Sequence, residues 1–419
     1  MSRQPCPRLV QPIAYTTFDP SGCAFPQPRA PLLPVLTRGS LRRPFGSRGT
    51  APLTASRPRR WYTRGRYALF DAYRLSGVGA HGSLLAPAYH CRTMLDPAIS
   101  LGASIGLYPL DEALAPDLAS LRQLVRGGPQ PVRALLLTHF FGFAQAAAPI
   151  RALCDEHGIA LIEDCSHALF DPRGGGELGR HGCYTTASPY KLFPCEDGGW
   201  LIPAPGAPLP EAENRRAGLR AELKSLANAI ERSVKRPRAE SGMRAPDAID
   251  AEIRQIVATP IERGPHLRSE SEAVSGLYRE SEQDCAGSRV SRWLISLCDI
   301  DRIAAQRRAN YRRWRDAVGQ LPHCRPLFAE LPDSCVPYMF PLLIDHPDTH
   351  FHVLKKLGVP IGRWDDTADS TCPVSRRYRD HLLHLPCHQA LSEHDLDWMM
   401  GVVSKVMRGV PTMGSNDEP

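Results

Sequence analysis

Among its 13 cysteines the chain has no Cys-x-x-Cys pair, and the count is odd. A disulfide scaffold is therefore not expected, and a reduced, cytoplasmic protein is. No basic stretch followed by an apolar run opens the sequence, so no secretory leader is expected. Long hydrophobic runs are missing too. The longest, Ala134 to Ala148, is broken by Thr138, His139 and Gln145 and is too short and polar to span a bilayer. The first 66 residues contain no Lys and one acid, Asp19, against 12 Arg. That segment carries +11 of a net +7, which leaves the rest of the chain at −4. The basic character is local, so the sequence does not predict a nucleic-acid-binding body.

What is present is enough chain, 419 residues at 42% hydrophobic, for a large core. Residues 1–60 hold 11 Pro with no sustained period, and their composition predicts a disordered extension. From Trp61 to about residue 210, short apolar runs alternate with helical stretches. Gly65 to Leu75 reads as a helix. Leu84–Ala86, Ser104–Tyr108, Ala134–Thr138 and Ile159–Ile162 read as buried strands, and Ile150–His157 as a helix closed by Gly158. This is the pattern of an α/β domain with a mostly parallel, mixed sheet. Residues 211–285 are polar, with a helical stretch from Glu211 to Arg232, and read as a variable insertion. Residues 286–410 read as a connecting helix, Ser291 to Val318, and a small C-terminal α/β domain.

Four separated pieces carry chemistry. Leu161-Ile162-Glu163-Asp164-Cys165-Ser166-His167 puts an acid at the carboxyl end of a buried strand, where open α/β sheets bind ligands. Ser188-Pro189-Tyr190-Lys191, followed by Glu196-Asp197-Gly198-Gly199, sets a lysine among small and apolar residues. Gly65-Arg66-Tyr67 places a glycine at a helix N-terminus, an anion site. Pro87-Ala88-Tyr89-His90-Cys91 is a further loop at the same sheet edge. Together they suit pyridoxal 5'-phosphate (PLP). A lysine can hold its aldehyde as an imine, an acid can keep the pyridine nitrogen protonated, and amides with a hydroxyl can hold the phosphate.

On these residues the sequence resembles the DegT/DnrJ/StrS family of PLP-dependent sugar aminotransferases, with the aspartate-aminotransferase-like fold type I. The resemblance covers residues 60–205 well and 286–400 more loosely. It implies that Lys191 is the Schiff-base lysine, that Asp164 meets the pyridine nitrogen and that His167 contacts the ring oxygen. Thr138-His139-Phe140-Phe141-Gly142 and Leu382 to His388 also resemble family stretches. Arg66 and Tyr67 stand where the family has a small hydroxyl residue, and both are expected at the cofactor, with Arg66 adding charge at its phosphate. The resemblance implies a phosphate-binding hydroxyl here, for which Ser188 is expected, with Thr186 as its rival. Cys91 falls where the family has a ring-stacking aromatic, so Tyr89 or His90 is expected to cover the ring. Arg289-Val290-Ser291 remains of a partner-subunit loop that has lost its Asn. The resemblance further implies glutamate as amino donor, a nucleotide-linked keto-sugar as acceptor, and a homodimer. Other PLP chemistry, or a degenerate sugar-binding protein of the same fold, stays open. His381, His384, Cys387 and His388 invite a metal reading, but Pro386 breaks any helix that would align them, and no metal is predicted.

Overall fold

The computed structural model describes residues 13–41, 58–127, 130–170, 178–211, 213–237, 239, 246–259, 264–271 and 273–410. Its strands are β1 (Ile13–Phe18), β2 (Arg60–Tyr62), β3 (Ser83–Pro87), β4 (Ile105–Tyr108), β5 (Val132–Thr138), β6 (Ala160–Asp164), β7 (Tyr184–Ala187), β8 (Gly199–Pro203), β9 (His266–Ser271), β10 (Cys324–Pro326), β11 (Met339–Ile344), β12 (Asp366–Ala368) and β13 (Leu382–Pro386). The helices are α1 (Gly65–Leu75), α2 (Asp96–Ser100), α3 (Leu118–Gly127), α4 (Ala147–His157), α5 (Leu219–Val234), α6 (Pro246–Ala258), α7 (Arg289–Leu297), α8 (Ile300–Val318), α9 (His352–Lys356), α10 (Pro373–His381) and α11 (Glu393–Gly409).

The main sheet has seven strands in the order β2-β8-β7-β6-β5-β3-β4. Strands β7, β6, β5, β3 and β4 run parallel; β8 is antiparallel to both its neighbours. The α/β class and the mixed sheet agree with the sequence. The unbroken run Ala134-Leu135-Leu136-Leu137 in β5 is explained by burial on both faces. Leu135 and Leu137 pack into the core beside Ile150, Leu153 and Leu121 of α4 and α3, whereas Ala134 and Leu136 pack with Ala68, Leu69 and Tyr73 of α1. Gly158 closes α4 in the left-handed region, with φ +64°.

A second, antiparallel sheet, β10-β11-β13, forms the C-terminal unit. The expected connecting helix is two helices. It breaks at Cys298-Asp299, and the Asp299 carboxylate caps α8 by accepting from Arg302 N–H at 3.1 Å. In the 211–285 segment, α5 begins only at Leu219.

The N-terminal segment corrects the disordered reading of residues 1–60. Its parts 1–12 and 42–57 lie outside the described residues, but 13–41 are folded. β1 lies between β9 and β12, antiparallel to both, with Tyr15 and Phe18 buried. The following Pro-rich stretch buries Cys23, Ala30 and Val35 without regular structure. Arg29 pairs with Glu252 of α6 at 2.6 Å, and the Pro31 carbonyl lies 2.9 Å from His388 Nε2. Proline rules out helix and central strand for most of this segment but does not prevent packing as an extended strap.

Candidate active site

The register of the parallel strands builds the floor. Thr138, at the end of β5, lies opposite Asp164, at the end of β6, and Asp164 lies opposite Thr186 in β7. These carboxyl ends open on one cleft, and Arg66, Asp164, His167, Ser188 and Lys191 all line it. Five of the seven residues singled out from sequence are thus brought together.

Asp164 is buried, and its Oδ1 accepts from the Ser166 amide at 2.9 Å, which fixes the carboxylate's orientation. Its neighbour Glu163 points away from the cleft. There it takes the Nε2–H of His139 at 3.0 Å and the amides of Gly179, His181 and Gly182. Burial works to raise the Glu163 pKa, but His139 and those amides outweigh it and hold the carboxyl below its usual range. The pair Glu163-Asp164 therefore divides its work between structure and cleft, as alternation along a strand requires.

His167 Nδ1 accepts from the Phe141 amide at 3.3 Å, which assigns the ring proton to Nε2. Phe141 offers that amide from a left-handed conformation, φ +56°, inside the Phe140–Gly142 turn. The imidazole stacks on Tyr338 at 4.4 Å, and burial, then the Lys191 and His384 charges, holds its pKa well below the ordinary value. His167 is therefore a neutral hydrogen-bond donor.

Lys191 ends a short turn, Pro189–Lys191, and its ammonium sits 5.6 Å from the Tyr338 ring centroid. The turn is clamped from behind. The fully buried Arg307 of α8 donates to the carbonyls of Lys191 at 3.4 Å, Leu192 at 3.3 Å, Pro337 at 3.1 Å and Tyr338 at 3.0 Å, and to Gln389 Oε1 at 2.9 Å.

The N-terminus of α1 faces the same cleft. A β-carbon on Gly65 would overlap Ser188 Oγ, and Ser188 Oγ in turn donates to Ser166 Oγ at 3.0 Å. Two hydroxyls thus stand at the first turn of a helix whose N-cap, Arg64, supplies no side-chain cap. The Gly198-Gly199 pair has its reason here: a β-carbon on Gly199 would collide with the Arg64 backbone. Glycine lets β8 come close enough to set the start of α1 beside the Lys191 turn.

The other two expected residues lie elsewhere. Tyr67 turns into the core beside Tyr278, and its hydroxyl accepts from the Arg279 amide at 3.2 Å. Tyr89 is fully buried, with its hydroxyl 2.9 Å from His384 Nε2. His90 is tied to backbone, and Thr186 lies behind Asp164 with its hydroxyl 3.5 Å from Oδ1. The cleft residue missed from sequence is Trp364, from the segment before β12. Its ring lies 5.7 Å from that of His167 and 4.8 Å from that of Tyr89. Thr138, Ser166 and Arg307 were also missed. The Thr138 hydroxyl is buried at the cleft with no partner among the described residues.

These features fit PLP: a lysine, a fixed carboxylate, a neutral imidazole N–H, and hydroxyls at a helix start. The unpartnered Thr138 hydroxyl and the cradle at Gly65, which a β-carbon would fill, point to a polar ligand in this space.

A family model, that of the DegT/DnrJ/EryC1/StrS aminotransferase family, matches residues 62–206. Over those residues the chain is similar to that family. They hold the cleft's lysine, both its carboxylate and its imidazole, and the start of α1. Among curated relatives, this chain is 26% identical over 160 residues to a UDP-N-acetyl-3-dehydro-alpha-D-glucosamine 3-aminotransferase of Acidithiobacillus ferrooxidans. That alignment covers 37% of this chain and 42% of the relative. It is 24% identical over 143 residues to the GDP-perosamine synthase of Vibrio cholerae, covering 33% and 38%. The chain thus spans about two fifths of the length of these relatives. Solved structures extend the likeness of fold to the rest. Helicobacter pylori PseC, an aminotransferase, aligns at TM-score 0.57 with 12% identity, over 85% of this chain and 88% of PseC. The aminotransferase TlmJ of Streptoalloteichus hindustanus aligns at 0.55 with 18% identity, over 84% and 86%. The fold is that of the PLP-dependent aminotransferases.

Proposed function

We propose that this chain is a PLP-dependent aminotransferase that moves an amino group from glutamate to a keto-sugar, nucleotide-linked, in polysaccharide or amino-sugar biosynthesis. The observation that carries the reading is the convergence of Lys191, Asp164, His167 and the Gly65–Ser188 cradle on one cleft. When bound there, PLP would supply an electron sink next to the carbon that gains or loses the amine. Lys191 would hold it covalently and, once released, carry the proton at its Nζ between donor and cofactor carbons. Asp164, fixed by Ser166, would keep the pyridine nitrogen charged. His167 would donate from Nε2 to the ring oxygen. Ser188, Ser166 and the first amides of α1 would hold the phosphate, with Arg66 adding charge from the cleft wall. Trp364, which lines the cleft, would take the ring-covering place expected for Tyr89. The names of the relatives support the keto-sugar as acceptor.

A homodimer accords with an exposed apolar stripe on α5, Leu219, Leu223, Ile230 and Val234, and with the exposed Trp293 on α7, which packs against α5. A cytoplasmic setting accords with the free cysteines. No helix among the described residues is long and apolar enough to cross a membrane.

The test is the visible absorbance of purified protein mixed with PLP. A band that borohydride abolishes, that Lys191→Ala lacks and that glutamate bleaches supports the reading. A chain that stays colourless with PLP refutes it.

A further inference from the structure

A second cavity, of about 470 Å³, lies between the N-terminal strap and the C-terminal unit. That is within the size range of small-molecule sites. The strap contributes Phe18 and Phe25; the C-terminal unit contributes Phe351, Lys355, Arg363 and Asp365. None of these residues belongs to the segment that matches the family model.

Its two cations differ. Arg363 is already satisfied: its guanidinium pairs with Asp365, donates to the Asp380 carbonyl at 3.3 Å, and lies 3.6 Å from the Phe351 ring centroid and 5.0 Å from that of Phe18. Lys355 is half-buried, 5.6 Å from the Phe25 centroid, and has no hydrogen bond or ion pair among the described residues. Asp365 is hydrogen-bonded to Arg363 and attracts Lys355 only at longer range, so the cavity offers three phenyl rings and an ammonium that makes no direct hydrogen bond or ion pair among the described residues. A planar apolar body with a single negative charge complements it.

The wall of this cavity is shared. Arg363 and Asp365 line it, while Trp364 between them lines the Lys191 cleft. The end of β1 grips the same segment, with the Phe18 amide donating to the Asp365 carbonyl at 3.2 Å. A ligand that engages Lys355 and the rings presses on the backbone that carries Trp364. We propose that this strap-built cavity is an effector site for a small aromatic carboxylate, felt in the catalytic cleft through Trp364. Binding does not depend on the activity proposed above.

The experiment uses the full chain and 3-phenylpropionate as probe, titrated by calorimetry and by tryptophan fluorescence. Saturable one-to-one binding is expected. The uncharged 3-phenylpropanol should bind about tenfold more weakly or worse, because it cannot pair with Lys355. Lys355→Met should weaken the carboxylate to a similar degree. The fluorescence change should vanish in Trp364→Phe while calorimetric binding remains. No saturable binding, or equal binding of acid and alcohol, overturns the site; that comparison needs no variant to fold. Binding with the same fluorescence change in Trp364→Phe overturns the link to the cleft.

Discussion

Replacing Arg307 by methionine tests whether the Lys191 turn is held from the C-terminal unit. Methionine keeps much of the stem's volume and removes every donor. Three bonds are short: to Gln389 Oε1 at 2.9 Å, Tyr338 O at 3.0 Å and Pro337 O at 3.1 Å. The contacts to Lys191 O and Leu192 O, at 3.4 and 3.3 Å, are weaker, and Leu192 O keeps a bond from Gln389 Nε2 at 3.0 Å. Bonds from a charged donor contribute about 1.5–3 kcal/mol each, so the three short ones amount to roughly 5–9 kcal/mol. Against this stands the cost of burying a guanidinium with no carboxylate partner, several kcal/mol per ion. Burial pushes the Arg307 pKa down to about 10, the sign of that cost. The difference is a net loss of about 2–4 kcal/mol of stability on substitution. The assay is the urea midpoint at unchanged slope, read together with the visible band of the PLP-loaded protein, which should weaken because the lysine's backbone is no longer fixed. A midpoint equivalent to less than about 0.5 kcal/mol, with an unaltered band, would show that Arg307 is only space-filling.

Lys191→Ala should lose the visible band and at least about 10²–10⁴-fold in transamination, with little change in the urea midpoint, since the side chain is only partly buried; retained turnover would refute its role. Gly65→Ala should cost about 1–3 kcal/mol through overlap with Ser188 Oγ and weaken PLP binding. Adding Ser188→Gly should restore stability but not affinity, and recovery of both would sink the phosphate assignment. Acid should destabilise the protein below about pH 6.5. His90, His384 and His388 are driven down to about 4, 3 and 3, chiefly by burial, so the unfolded chain binds protons that the fold refuses. Their penalty is absent above the unfolded pKa and grows as pH falls towards the folded ones, at about 1.4 kcal/mol per unit for each histidine. Urea midpoints that rise between pH 7.5 and pH 5.5 would contradict this.

That Asp164, His167 and Lys191 share a cleft was legible in the sequence because each is bound to a local pattern: a strand end, a residue three further on, a lysine before Gly-Gly. The reason for the Gly-Gly pair, close approach to the Arg64 backbone, is visible only in three dimensions. Tyr89 and Trp364 show the limit of local reading. Tyr89 sits in the expected loop, but its hydroxyl is taken by His384, 295 residues away, and its ring is packed inward. Trp364 stands among charged residues with no period to mark it, and only the docking of the C-terminal unit brings it over the cleft. The strap was misread for a related reason. Composition reports on local preference, and eleven prolines oppose local order. The order of β1 comes instead from partners about 250 and 350 residues downstream, β9 and β12.

These non-local connections make the cleft a joint product of two units. The segment that matches the family model supplies Asp164, His167 and Lys191, but their freedom is limited from outside it. Arg307 and Gln389 hold the backbone at Lys191-Leu192, and Tyr338 packs against both the lysine and His167. Trp364 closes the remaining side on a backbone that β1 grips in turn. A segment cut at residue 206 would keep the motif and lose Arg307, Tyr338 and Trp364, so the motif alone does not make the site. The strap, which lies outside the matched segment, reaches the lysine through only two steps, β1 to the Trp364 segment and Trp364 to the cleft. Sequence change in the first forty residues can therefore alter the cleft without touching one of its reactive groups.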